Sequence, residues 1–409
     1  MASPSEARDL APPRFLVLTA PVGAGYIAAA EALRAGLLLE IPQAEVTVVD
    51  ALSHMGRPLR FLLLTLYRWQ LERAPWLFGL LHASLLRLPG TGAAWRRALG
   101  LLGGRSLQRA IVAANPDLVV STYPPATNVL GELRSRGSLA RPVCATITDL
   151  AGVALWAHRG IALHLVAHPD LRAEVERVAG PGSARAVRPL VHPRFYEALD
   201  RDRARRELGV SQVHLVLVSG GGWGIGDLPG AVAAALDIPG THVMCVVGLN
   251  RALRDRLTRR YHAEPRVTVL GFVSNMATLL TAADVAVHST GGVTVLEALV
   301  SRCPVVAYGG VAGHLPMVNR RMDELGLVRD AATPDLLRKA LGEILRQPRP
   351  APHSLLRLPD AACEVASLLS AIAAESGTAR EARQSARKEP DTVISPEKTT
   401  SVHASRPSM

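Results

Sequence analysis

Short apolar runs recur along the chain, and each is followed by a loop and an Ala- and Leu-rich stretch with helical spacing. In the first half the runs are "RFLVLTA" (14–20), "VTVVD" (46–50), "DLVVST" (117–122), "VCATITD" (143–149) and "LHLVAH" (163–168). In the second they are "VHLVLVSGGG" (213–222), "HVMCVVG" (242–248), "VTVLGF" (267–272), "DVAVHS" (284–289) and "PVVAYGG" (304–310). Continuous apolar strands alternating with helices predict an α/β chain whose parallel sheets are covered on both faces. Ligands of such sheets bind beyond the carboxyl ends of the strands.

Between the two series lies "RPLVHPRFYEALDRDRARRELGV", a proline-punctuated connector ending in a charged helix. A flexible start (1–13), a first domain (14–195) and a second (196–350) follow from it, with the expected site in the cleft between the domains. A linker and one further helix close the pattern over 351–374. From Glu375 to 409 the composition turns to Ser, Thr, Arg, Glu and Pro without period, which predicts disorder.

Composition changes this picture only in part. The chain has 409 residues, 48% hydrophobic and 20% charged, enough for two cores. Its net charge of +11 points to an anionic partner, either nucleic acid or a membrane surface. The excess is almost all arginine, with lysine only at 339, 388 and 398, so where the charge lies is more informative than its total. Cys144, Cys245, Cys303 and Cys363 are far apart and lack metal-ligand spacing, which reads as buried thiols of a reducing compartment. The start "MASPSEARDLAPPR" has no apolar signal core, and no uncharged apolar run reaches membrane-spanning length. A cytoplasmic protein without a metal site is expected.

Three glycine turns carry the candidate chemistry. The first, "PVGAGYIAAAEAL", places Gly23, Gly25 and Ala28 in a G-x-G-x-x-A pattern, and Asp50 ends the next strand, as in a dinucleotide fingerprint. The second is Gly220, Gly221 and Gly222 after "LVLVS". The third, "HSTGGVTVLEAL" (288–299), runs from strand to helix through Thr290, Gly291 and Gly292, leaving N–H groups uncovered at the positive end of the helix dipole. Such an end receives phosphate; the alternative is that the glycines serve only to change direction. A single NAD site would not explain two phosphate-like turns in the second half.

The ordered motifs "SGGGWGIG", "VVGLN", "VTVLGFVSNMATLLTAADVAVHSTGGVTVLEALVSRCPVVAY" and "GGVAGHLPMVN" resemble the carboxyl-terminal domain of family 28 glycosyltransferases. The resemblance is to the branch of monogalactosyldiacylglycerol synthases and processive diacylglycerol glucosyltransferases. In the first half, "GAGYIAAAEAL" resembles that branch's Gly-Gly-His-x-x-Ala-Ala turn, and "TITDLAGVALWAHRGIALHLVAHPDLRAEV" its Thr-Asp...His...Trp...His-Pro-Gly stretch. It extends over roughly residues 14–330. It implies the GT-B fold, two Rossmann-like domains with parallel sheets facing a central cleft. It also implies inverting transfer of a hexosyl group from a UDP-sugar, with no other cofactor, to a diacylglycerol-like lipid.

By this resemblance, Gly291, Gly292, Thr290 and Thr294 hold the diphosphate, and Glu297 takes the ribose hydroxyls. Gly221 and Gly222 approach the same phosphates, Phe272 and Val273 sit beside the uracil, and His314 and Asn319 face the sugar. On the residues alone, Glu297 could be a solvated helix-face charge and Phe272 a core side chain.

The departures from the family pattern concern the base. Tyr26 stands where the family has His after the paired glycines, and Val153 where it has a second His; Gly313-His314-Leu315 replaces Gly-Gln-Glu. Asp149 and His158 remain. A phenol is a poor base at neutral pH. Asp149, at a strand's carboxyl end, is therefore the candidate base, with Tyr26 orienting substrate beside Gly25; the competing role for Asp149 is to cap its turn.

Residues 56–110 carry nine arginines, among them Arg68, Arg73, Arg96 and Arg97, against one acid, Glu72, interleaved with Trp69, Trp76 and other aromatics. Arginines and aromatics on leucine-rich helical stretches suit an anionic membrane boundary, and nucleic acid is not expected. The alternative is ordinary buried helices with snorkelling arginines. Peripheral attachment to the inner face of the cell membrane is the expected location. The competing functions are a homologue that binds nucleotide and membrane without transfer, and a Rossmann oxidoreductase using Gly23 and Gly25.

Overall fold

A computed structural model describes residues 12–388, apart from 75, 78–79, 81–83, 85–89, 198, 211–213, 290 and 311–314. Residues up to Ala366 form one compact unit built on two six-stranded sheets. The first has the order β2-β1-β3-β4-β5-β6, from β1 (Arg14–Thr19), β2 (Glu45–Asp50), β3 (Leu118–Ser121), β4 (Val143–Ile147), β5 (Leu163–Val166) and β6 (Ala184–Ala186). The second has the order β12-β11-β10-β7-β8-β9, from β7 (His214–Ser219), β8 (Thr241–Val246), β9 (Val267–Leu270), β10 (Val285–His288), β11 (Val305–Tyr308) and β12 (Arg329–Ala331).

All pairings are parallel, with Val17 opposite Val48 and Val120, and His288 opposite Ser219 and Ala307. The inner strands β3, β4, β5, β10 and β11 are buried at every position, as helices on both faces require. Edge strands β2 and β9 are not. Each of the ten apolar runs marks one strand, β2 and β8 beginning one residue earlier than their runs. The two strands without such a run, β6 and β12, are three-residue edge strands with an arginine in each, recognisable only by their pairing to β5 and β11.

One face of the first sheet packs Leu16 and Leu18, with Leu130 of the helix Pro124–Ser135, against Leu52, Met55, Leu59, Leu99 and Leu107 of the helices inserted between β2 and β3. The other face belongs to a core that continues into the second sheet, joining Ala29, Ile147 and Trp156 to Val293, Leu296 and Ala286. After the second sheet the chain returns to the first. Arg188 N–H donates to the Pro359 carbonyl at 2.9 Å, Arg188 Nε donates to Asp360 at 2.8 Å, and Ala362 packs against Gly36 of the helix Gly25–Glu40.

The closing helix runs over Ala361–Lys388, past residue 374 where disorder was expected. Its later part, rich in Ala, Arg and Glu, has high helix propensity, which the absence of an apolar period concealed. Residues 389–409 lie outside the described residues.

A side chain at Gly131 would fall on the His158 imidazole, so the helix Pro124–Ser135 can seat that buried ring only through a glycine. Gly131→Ala is expected to lower stability by about 1–3 kcal/mol, the usual cost of overpacking. Chemical denaturation of parent and variant measures the difference.

Candidate active site

Both sheets reverse their strand order at one point, between β1 and β3 in the first and between β7 and β10 in the second, and ligands of open α/β sheets bind at such points. The loops leaving these strands face each other across one cavity of about 500 Å³. It is lined from the first sheet by Gly25, Tyr26, Tyr123 and Asp149, and from the second by Gly221, Gly222, Gly291, Gly292, Thr294 and Glu297.

On the second sheet's side, Gly291 (φ 68°) and Gly292 (φ 74°) form a left-handed turn into the helix Val293–Val300, which has no side-chain cap among the described residues. Its first N–H groups are therefore open to a ligand. His288 lies beneath the turn, with ring nitrogens 3.0 Å from the Ser219 carbonyl and 3.2 Å from that of Gly291. Burial pushes its pKa down to about 4, so the imidazole is neutral and its single N–H donates to one of these two carbonyls, the ring packing between the second and third glycine turns.

Glu297, one helical turn further, accepts no hydrogen bond among the described residues and lines the cavity; it is a recessed group, not a solvated one. Burial pushes its carboxyl up to about 7, opposed by the Arg194 charge. Phe272 is 61% exposed and lines the cavity, so it is no core side chain, and half-buried Val273 lies beside it. Gly221 has φ 65°.

Asn319 departs from expectation. It is buried on the helix Leu315–Glu324 and does not line the cavity, whereas Val318 does, because one residue rotates the side chain about 100° around a helix. Thr290 and His314 lie outside the described residues.

On the first sheet's side, Asp149 Oδ2 accepts from the Tyr26 hydroxyl at 3.2 Å and from Trp156 Nε1 at 2.9 Å. Its partners are side chains, not the N–H groups of a turn that it would cap. Burial raises the Asp149 pKa, and the Trp156 and Tyr26 hydrogen bonds oppose that rise. Burial first, and then the Asp149 charge, raise that of Tyr26, leaving a neutral phenol that donates.

His158 does not reach the cavity. Its Nδ1 accepts from Gly160 N–H at 3.0 Å and its Nε2 faces Glu132 at 3.4 Å, so the ring is a neutral structural element behind the site. Val153 is core. The Gly23–Gly25 turn lines the same cavity and abuts the second sheet's helix, where a Cβ on Gly25 would lie 3.7 Å from Val293.

Trp223, within the second glycine turn, and Tyr67, Trp95 and Arg194 also line the cavity. Trp223 extends the second glycine turn toward the first sheet's inserted helices, 6.3 Å between ring centroids from Tyr67 and with the Arg68 guanidinium 5.5 Å from its ring.

Those inserted helices include the π-helical turn Phe61–Leu66 and the helices Tyr67–Arg73 and Thr91–Ala114. Leu63 and Tyr67 face the cavity, while Phe61, Trp69 and Trp76 are exposed with Arg57, Arg60, Arg68, Arg73 and Arg97. Arg96 is the exception, half-buried and under the influence of Glu132. Among the described residues no helix is long and apolar enough to cross a membrane.

Residues 27–183 match the family model described as monogalactosyldiacylglycerol (MGDG) synthase, and residues 225–347 match glycosyl transferases group 1. The chain is 26% identical over 334 residues to monogalactosyldiacylglycerol synthase 1, chloroplastic, of Arabidopsis thaliana, covering 74% of this chain and 59% of that one. It is 24% identical over 216 residues to a processive diacylglycerol beta-glucosyltransferase of Bacillus thuringiensis, covering 52% of this chain and 55% of the relative. The chain thus spans less than two thirds of the length of these relatives. Among solved structures, the glycotransferase of kitacinnamycin (TM-score 0.52, 17% identity, 93% of this chain and 100% of that one) and Acinetobacter baumannii MurG (0.50, 15%, 88% and 99%) share the architecture. The fold is GT-B.

A carboxyl group that ionises with difficulty costs stability only where it is ionised. Because the Glu297 pKa is raised to about 7, that cost is full above pH 7 and disappears as pH falls toward its unfolded value. Glu297→Gln is therefore expected to be more stable than the parent at pH 8, by about 1–3 kcal/mol, and no more stable at pH 4. Urea denaturation at the two pH values checks the sign.

Proposed function

We propose that this chain, a relative of the monogalactosyldiacylglycerol synthases and processive diacylglycerol glucosyltransferases, transfers a hexosyl group from a UDP-sugar to the hydroxyl of a diacylglycerol-like membrane lipid, with inversion. One observation carries the reading. One cavity joins a helix N-terminus without a side-chain cap and a Glu297 without a hydrogen-bond partner, both among the described residues, to the hydrogen-bonded Asp149 on the other side, beside helices whose outer face is arginine and aromatic.

In this reading residues 196–350 bind the donor. The N–H groups of Gly292 and Val293 and the Thr294 hydroxyl stabilise the diphosphate as it departs, since charge grows there in the transition state. Glu297, which burial leaves short of donors, takes the ribose hydroxyls; Phe272 and Val273 meet the uracil. Residues 14–195 bind the acceptor. Asp149, held through Oδ2 and raised in pKa by burial, removes the acceptor proton as the hydroxyl attacks the anomeric carbon from the face opposite the diphosphate. Tyr26 orients the base and remains protonated. The protein works in the cytoplasm, bound peripherally to the anionic inner face of the membrane.

The absence of histidine at Tyr26 and Val153 favours a second reading, a homologue that binds nucleotide and membrane without transfer. A panel of UDP-sugars with mixed anionic vesicles separates the two: release of UDP or transfer with any sugar supports the enzyme, and UDP binding without turnover supports the second reading.

Asp149→Asn is expected to reduce turnover roughly 100- to 10,000-fold, with UDP affinity and thermal midpoint nearly unchanged. Turnover within a few-fold of the parent would remove Asp149 from the chemistry.

Replacing Arg57, Arg60, Arg73 and Arg97 together by Gln is expected to release the protein from anionic vesicles, each arginine contributing roughly 1 kcal/mol in a field that salt screens. UDP binding should stay intact. Arg68 is left in place because it lies over Trp223. Vesicle co-sedimentation across a salt series reads the result, and equal retention by neutral vesicles would count against the electrostatic part.

A further inference from the structure

Among the described residues lining the cavity, three side chains carry formal charge: Asp149, Glu297 and Arg194. A nucleotide sugar brings a doubly negative diphosphate into that space, where two carboxyl groups, both pushed toward the neutral form by burial, stand beside one guanidinium. Backbone N–H groups at a helix start supply only about half a charge. The one full positive charge within the lining is therefore the group on which the charge balance of a bound diphosphate turns.

The Arg194 guanidinium is exposed and lies 5.5 Å from the centre of the Phe195 ring, a contact that leaves its N–H groups available. The residue belongs to the 3₁₀ turn Pro193–Phe195 in the connector between the two sheets, anchored by buried Val191 and Phe195 and by the Arg194 N–H, which donates to His192 Nδ1 at 3.3 Å. Elsewhere on the connector and the helix it enters, Arg188 pairs with Asp360, Arg201 and Arg205 with Asp284, and Arg203 with Glu207. The Arg194 side chain makes no ion pair or hydrogen bond among the described residues. It lines the cavity together with Thr294 and Glu297 and lies close enough to act on the Glu297 carboxyl.

We propose that Arg194 is a diphosphate-binding residue: its guanidinium holds the phosphates of the donor against the uncapped start of the helix Val293–Val300. The inference rests on reading the cavity as a nucleotide-sugar site, and it adds a residue from the connector to a donor site otherwise built from the second sheet. A planar guanidinium with two parallel N–H groups suits a phosphate better than an ammonium does.

Calorimetric titration of UDP and of uridine into the parent, Arg194→Gln and Arg194→Lys tests it. Arg194→Gln is expected to weaken UDP about 10- to 100-fold while leaving uridine unchanged, because only UDP carries the phosphates. Arg194→Lys should restore part of the loss. The salt dependence of UDP binding should be shallower in the Gln variant than in the parent. Equal weakening of UDP and uridine would indicate a role in shape alone and overturn the proposal, as would UDP affinity indifferent to the substitution. A parent chain that binds no UDP would overturn the nucleotide-sugar reading, and this proposal with it.

Discussion

A Cβ on Gly222 would sit 2.6 Å from the Cβ of Ala24, so the turn after β7 and the turn after β1 touch through backbone that only glycine leaves bare. The geometry of the cavity depends on this approach. It brings the two points of strand reversal face to face, sets the start of the helix Gly25–Glu40 against Val293, and lets Trp223 reach Tyr67. His288 extends the constraint inward, since its buried ring fills the space between the carbonyls of Ser219 and Gly291 and so spaces the second and third glycine turns. Glycine at 222 thus serves the fit of one lobe to the other, and a phosphate, where bound, would use N–H groups that this fit has already placed.

The cavity is also a place where carboxyl groups keep their protons longer than in water. Glu297 and Asp149 are both shifted upward by burial, and neither has a cationic hydrogen-bond partner among the described residues. For Asp149, two neutral donors, an indole and a phenol, offset part of the desolvation. Such groups are costly in an empty site and become useful when a ligand supplies hydroxyls, which is why they are expected where function outweighs stability.

What the sequence reveals and what it conceals follow from the range of each interaction. Apolar runs disclose ten of the twelve strands because burial on both faces leaves a local pattern; β6 and β12 leave none. The three glycine turns are visible because positive φ and close contact restrict the residue type. Glu297 and Asp149 lie on the cavity that the motifs pointed to. Asn319 turns away because motif spacing does not fix helix phase. His158 has suitable chemistry, but Gly131 opens a buried berth for it behind the sheet, a tertiary fact absent from its neighbours in sequence. Trp223, Tyr67 and Arg194 enter the cavity through apposition of segments more than a hundred residues apart, and no periodicity records that.

The return of the chain to the first sheet bears on how the molecule is made. The helix Gly25–Glu40 and Arg188 belong to the first lobe, yet the Pro359 carbonyl, Asp360 and Ala362 that cover them come after every strand of the second. A ribosome releases all six strands of the first sheet well before it delivers those residues. During that interval the first lobe has a seam, with Gly36 bare and Arg188 lacking its carboxylate. The seam closes only when Pro359, Asp360 and Ala362 arrive, so the last part of this unit to be synthesised acts as its latch.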